Sequence, residues 1–167
     1  NRLQRWNDKS DKSNDATVDE AGLRPQRVAN ALNGHSVVRF SGVSAFLGKT
    51  IRTAKGPVTV LIVSRRLPEQ AEVDPWQRLF SSRPHIANND NVLPNFAISL
   101  RQTTAYAPTF SVLELYDVPI GPYAVGRNVV GNSDNFRGDI AEVLVYDRPF
   151  ASLAERQNMA YASTLVT

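Results

Sequence analysis

The stretch from Phe136 to Gln157 constrains the fold more than any other part of the chain. Within it, Ile140-Ala141-Glu142-Val143-Leu144-Val145-Tyr146 is rich in the β-branched, aliphatic and aromatic residues that suit a pleated, half-buried surface. Alternation sends Ala141, Val143 and Val145 to one face and Ile140, Glu142, Leu144 and Tyr146 to the other. The second face is nearly as apolar as the first, so the segment reads as a strand covered on both sides. A few residues on, Ser152 and Glu155 form a Ser-x-x-Glu capping box, which marks a helix start. The stripe behind it is ragged: Leu153, Arg156, Gln157 and Ala160 share one side, Met159 and Tyr161 another. One modest helix near 151–163, lying on a sandwich edge, is expected.

The remaining segments are short and strand-like. Asn33-Gly34 separates Val28–Leu32 from Val37–Phe40, and both residues tolerate the positive φ of a tight hairpin turn. Residues 41–47 read as a loop entering another short strand. Val58 to Val63 is the longest apolar run and has the length of a central strand buried on both faces. Further candidates are 78–82, 95–100, 110–116 and 123–127, with Pro-, Asn- and Asp-rich connections between them. Many short strands with turns between them and one terminal helix argue for an all-β sandwich. No period of roughly 20–50 residues recurs, which argues against a solenoid or propeller.

At 167 residues the chain fits one domain with a real core, and no apolar run is long enough to span a membrane. Cysteine is absent, which removes disulfides, thiol catalysis and cysteine-based zinc sites. The first residues, Asn-Arg-Leu-Gln-Arg-Trp, lack the apolar core of a signal peptide, so either a signal has been removed or the chain is an excised piece. The net charge of +3 is mild, and its arginines are scattered rather than striped, which argues against nucleic acid as a partner. Arginine in excess of lysine could still suit sulfate or carboxylate groups on a polysaccharide.

Four segments in this order, Trp6–Ser10, Asn30–Phe40, Arg78–Ser82 and the Gly-x-Ile-x-Glu-Val-x-Val-Tyr-Asp-Arg run from 138 to 148, resemble bacterial laminin-G-like domains. That family belongs to the concanavalin A-like lectin/glucanase superfamily. The resemblance implies an antiparallel jelly-roll β-sandwich with one short C-terminal helix, over a single domain at 1–167. It also implies an extracellular or cell-surface setting. Two departures from the family stand out. The usual strand ahead of the Trp turn is missing, so that edge would be covered by another chain or segment. The closing helix ends as Ser163-Thr164-Leu165-Val166-Thr167, without the usual aromatic or lysine.

The enzymes of the superfamily use carboxylates spaced Glu-x-Asp-x-x-Glu on one strand, and this chain has no such motif. Glu69, Glu72 and Asp74 come nearest, but Pro75 follows at once, and Glu114 and Glu142 stand alone on their strands. His35 and His85 sit by turns, with no Gly-x-Ser-x-Gly elbow to complete a triad. The reading is therefore non-catalytic. No cofactor is demanded. Calcium is the one ion for which hard oxygen ligands gather, at Asp8, Asp11, Asn14 and Asp15 and again at 88–91. The first group lacks the Gly and closing Glu of an EF-hand loop, and a solvated Asx-turn cluster competes with it.

Sugar binding needs an exposed aromatic platform beside amides or carboxylates. Trp76 and Tyr106 in polar loops, with Tyr123 and Asn132 at the same end, are the candidate carbohydrate-binding residues. The competing reading packs Trp76 into the core against Leu79 and Phe80. The expected function is a lectin-like module of a larger exported protein, binding a polysaccharide or glycoconjugate. The alternative is a structural or adhesive subunit that assembles with other protein subunits through its sandwich surface.

Overall fold

The computed structural model describes residues 1–48, 57–67, 77–82, 96–99, 110–118, 121–127, 135–148, 150, 152, 154–155 and 157–158; for 96–99, 111 and 113–118 it describes the backbone alone. Eleven strands form among them, in two antiparallel sheets. One sheet joins β1 (Arg5–Trp6), β2 (Ala16–Thr17), β5 (Phe46–Gly48), β10 (Tyr123–Val125), β7 (Arg78–Ser82) and β8 (Phe96–Ser99), in that spatial order. The other runs β3 (Gln26–Leu32), β4 (His35–Ser41), β11 (Arg137–Tyr146), β6 (Val58–Arg66) and β9 (Ser111–Val118). No helix of the described residues is long and apolar enough to cross a membrane.

The hairpin forms where the Asn-Gly pair predicts it. Asn33 and Gly34 take φ of 46° and 82°, the doubly left-handed turn that matches strand twist, and Leu32 pairs with His35. On β6, Val58, Val60 and Ile62 face the other sheet, yet Thr59, Leu61 and Val63 on the opposite face are also buried. The expectation of a strand covered on both sides holds there. Phe40, Phe136 and Ile140 from the five-stranded side meet Phe46, Leu79 and Phe80 from the six-stranded side. Phe40 stands edge-on to Phe46 at 6.2 Å, and Trp6 to the same ring at 5.8 Å, the tilted geometry that aromatic quadrupoles favour. The outer edge of β3 is lined by residues 1–3: Leu3 N–H donates to Pro25 O and Arg27 N–H to Asn1 O, both at 2.8 Å.

Two expectations need correction. Among the described residues no C-terminal helix is an element of the fold; the only helical element is the 3₁₀ turn Ala21–Leu23. Ser152 Oγ accepts the Glu155 N–H at 3.1 Å, and the Glu155 carboxylate pairs with Arg148. Ala154, Glu155, Gln157 and Asn158 have helical geometry, and all but Glu155 are exposed. A ragged apolar stripe buries too little to hold so short a helix on a sandwich.

The second correction concerns β11. Opposite β6, Ile140 pairs with Ser64 and Glu142 with Val63, so Ala141 is an extra, bulged residue. The bulge resets the alternation, and Val143 joins Ile140 on the core side. Burial also stops there: Gly138, Asp139 and Ile140 are buried, whereas Ala141 to Tyr146 are half-buried or exposed. The strand is covered on both sides only before the bulge.

Candidate functional site

A cleft of about 410 Å³ opens where burial of β11 ends. Its floor comes from the inner face of the six-stranded sheet, with Phe80, Tyr123 and Val125. One wall is the Trp6–Asn14 turn, which brings Trp6, Asp8, Lys9 and Lys12. The other wall is β11 beyond its bulge. Every residue from Ala141 to Val145 borders the cleft, both the inward- and the outward-facing ones. Side chains of one face alone would alternate along a strand. An unbroken run fits a cleft that reaches the edge of β11.

That edge is open for a reason found in the pairing. β4 follows β11 from Ser41↔Arg137 to Val38↔Ile140 and pairs with it no further. Past the bulge, β4 continues with β3, down to the His35↔Leu32 turn. Ala141 to Tyr146 therefore pair with β6 on one side and, among the described residues, with no strand on the other. Val145 sits at the rim with 40% of its surface exposed.

The turn wall is built by its own carboxylates. Asp8 accepts the Ser10 N–H at 2.9 Å, the Ser10 hydroxyl at 2.8 Å and the Asn14 N–H at 2.9 Å. Asp15 accepts the Asp8 N–H at 2.7 Å and pairs with Arg5. Burial works to raise the Asp8 pKa, but the Asn14 and Ser10 hydrogen bonds together outweigh it and leave it below the usual carboxylate value. Asp15 is lowered chiefly by the Asp8 N–H. Both carboxylates thus serve the Asx-turn network expected as the rival to a calcium loop. Among the described residues no three His, Cys, Asp or Glu side chains gather into a metal-binding group. The second oxygen-rich segment, 88–91, lies outside the described residues.

Tyr123 is the one proposed sugar contact that the structure describes; Trp76, Tyr106 and Asn132 lie outside the described residues. It borders the cleft but is 8% exposed, stacked on Phe80 at 5.6 Å, with its hydroxyl donating to Asn14 O at 2.8 Å. Burial first, and then the negative charges of Asp8 and Asp15, push its pKa up to about 12. Tyr123 ties the turn wall to the floor. Trp6 is half-buried and contributes to the wall. The open edge at 141–145 escaped the sequence reading because a bulge within an apolar run leaves no compositional mark.

Comparison with protein-family models, with known proteins and with solved structures finds no match to this chain.

Proposed function

We propose that this protein is a non-catalytic binding module that assembles with a partner polypeptide, taking an extended segment of it into the cleft beside β11. The observation that carries the reading is the coincidence of an apolar floor with a strand edge that no strand of the described residues pairs. An added strand would pair its backbone with that edge and present alternate side chains to the floor. Trp6, Tyr123 and Val143 offer apolar contact, while Lys9, Lys12, Glu142 and Asp147 form a charged rim. Natural sheets leave such edges bare only where they are short, charged or meant to be paired. The resemblance to laminin-G-like modules supports an extracellular setting for this pairing. It fits the adhesive-subunit alternative better than a lectin, because Tyr123 is packed into the floor and tied to the turn instead of standing free as a platform.

The test is to pan a displayed library of random nonapeptides and to probe a glycan array with the same purified protein. Bound peptide is expected to protect alternate backbone amides between Ala141 and Tyr146 from hydrogen exchange. Val145→Asp should weaken binding about tenfold, as loss of one rim contact of about 1.4 kcal/mol would. Glycan binding without peptide binding, and without protection along β11, would replace this reading with the lectin-like one.

A further inference from the structure

On the face of the five-stranded sheet turned away from the core, three neighbouring strands bring Arg39, Asp139 and Arg65 into one row. Arg39 pairs with Asp139 across β4 and β11, and Asp139 with Arg65 across β11 and β6. The Asp139 carboxylate is fully buried. Arg39 grips both its oxygens, Nε to Oδ1 at 2.7 Å and Nη2 to Oδ2 at 2.9 Å. Arg65 reaches Oδ2 with Nε at 2.9 Å and Nη2 at 2.8 Å. The Arg65 guanidinium also lies 4.7 Å from the centre of the Phe110 ring.

We propose that this row is an oxyanion-binding site, with Arg39 and Arg65 as its donors and Asp139 as the group that orients them. Two cations share one anion, so the row keeps a net positive charge. Each guanidinium has five N–H groups and uses two on Asp139; among the described residues no further acceptor meets the rest. The two side chains remain 35% and 25% exposed, so solvent and ligands reach them. Their rotamers are already fixed by Asp139, and that of Arg65 also by Phe110, so an arriving anion need not order them. Planar N–H forks match carboxylate, sulfate and phosphate oxygens, which defines the ligand as an oxyanion borne by a glycan, a peptide or a free salt. The site faces away from the cleft, and the proposal stands without the peptide reading.

The competing possibility is an ion triplet that only braces the sheet. Side-chain Nε–H resonances of Arg39 and Arg65 separate the two when followed by NMR during titration with sodium sulfate, with sodium chloride at matched ionic strength as control. Saturable shifts at both resonances with sulfate, and none with chloride, are the expected result. Arg65→Gln, which leaves the Arg39 fork on Asp139, should keep the fold and weaken sulfate at least tenfold. Equal, non-saturating drifts in both salts would overturn the proposal, as would full sulfate affinity in Arg65→Gln. If that variant does not fold, Arg65→Lys serves in its place, keeping the charge and losing the fork. Parallel titrations with a sulfated disaccharide and a Glu-rich peptide identify the source: the one that saturates below the sulfate midpoint bears the physiological anion, and failure of all three probes to saturate refutes the site.

Discussion

Tyr123 occupies the space that a side chain at residue 48 would need. The two residues are directly paired across β10 and β5, and a Cβ on Gly48 would lie 1.9 Å from the tyrosine Cζ. Gly48→Ala is therefore expected to push the ring off Phe80 and destabilise the protein by about 2–3 kcal/mol, as overpacking of a fixed core does. Urea denaturation measures it; a change below about 0.5 kcal/mol would mean that the ring moves freely.

Tyr123→Phe keeps the ring and removes only the hydroxyl that meets Asn14 O. A loss of about 1 kcal/mol is expected, because the Asn14 carbonyl loses a partner. Tyr123→Ala should cost about 3–5 kcal/mol. Similar losses in the two variants would show that the hydroxyl, not the ring, holds the turn to the sheet.

The same hydroxyl predicts an alkaline limb in stability. Its pKa rises from 10.0 to about 12 on folding, so the folded state holds the proton more tightly than the unfolded one. The contribution is whole below pH 10 and fades as pH climbs from 10 to 12, by about 2–3 kcal/mol in total. Wild type should lose this increment over that range and Tyr123→Phe should not. Parallel unfolding curves for the two proteins at pH 9 and 12 would sink the idea. At the acid end the sign reverses. Asp8 is lowered by its Asn14 and Ser10 bonds, so its contribution is present above 3.8 and is lost as pH falls below it. Asp8→Asn should flatten that limb.

Asp139→Asn leaves Arg39 and Arg65 without their common anion. Breaking a buried pair by removing one partner costs about 3–5 kcal/mol, and partial exposure of both arginines places the loss near the lower figure. Thermal melts of the single variants and of Arg39→Gln/Asp139→Asn give the coupling directly. Additive losses would show that the two residues act independently.

Calcium is expected to leave the melting temperature unchanged, because Asp8 and Asp15 already accept hydrogen bonds from their own turn. A rise of several degrees in millimolar calcium, reversed by chelation, would show that the turn reorganises around the ion.

What could be read from the sequence is what neighbouring residues decide. Asn33-Gly34 sets its hairpin through local φ preferences, and Val58–Val63 declares a strand buried on both faces through composition. β2 was missed, since Ala16–Thr17 is two residues inside a polar stretch and owes its pairing to β1 and β5. The bulge at Ala141 was missed because apolar residues on either side of it give the alternation no phase. The expected helix failed on the same ground as its ragged stripe: a cap can start a helix but cannot bury one. Asp139 stands 100 residues from Arg39 and 74 from Arg65, so only the sheet order reveals them as neighbours. The cleft likewise exists only once β4 parts from β11.

Among the described residues β11 is the last strand in chain order, and yet it lies at the centre of its sheet, between β4 and β6. A ribosome making this protein releases β4 and β6 well before the strand that joins them, so two apolar ribbons must wait without their common neighbour. Assembly of that sheet is therefore a late event governed by long-range contacts, and slow folding follows from such topology. Until β11 arrives, the two waiting ribbons expose strand edges of the kind that pair wrongly and aggregate.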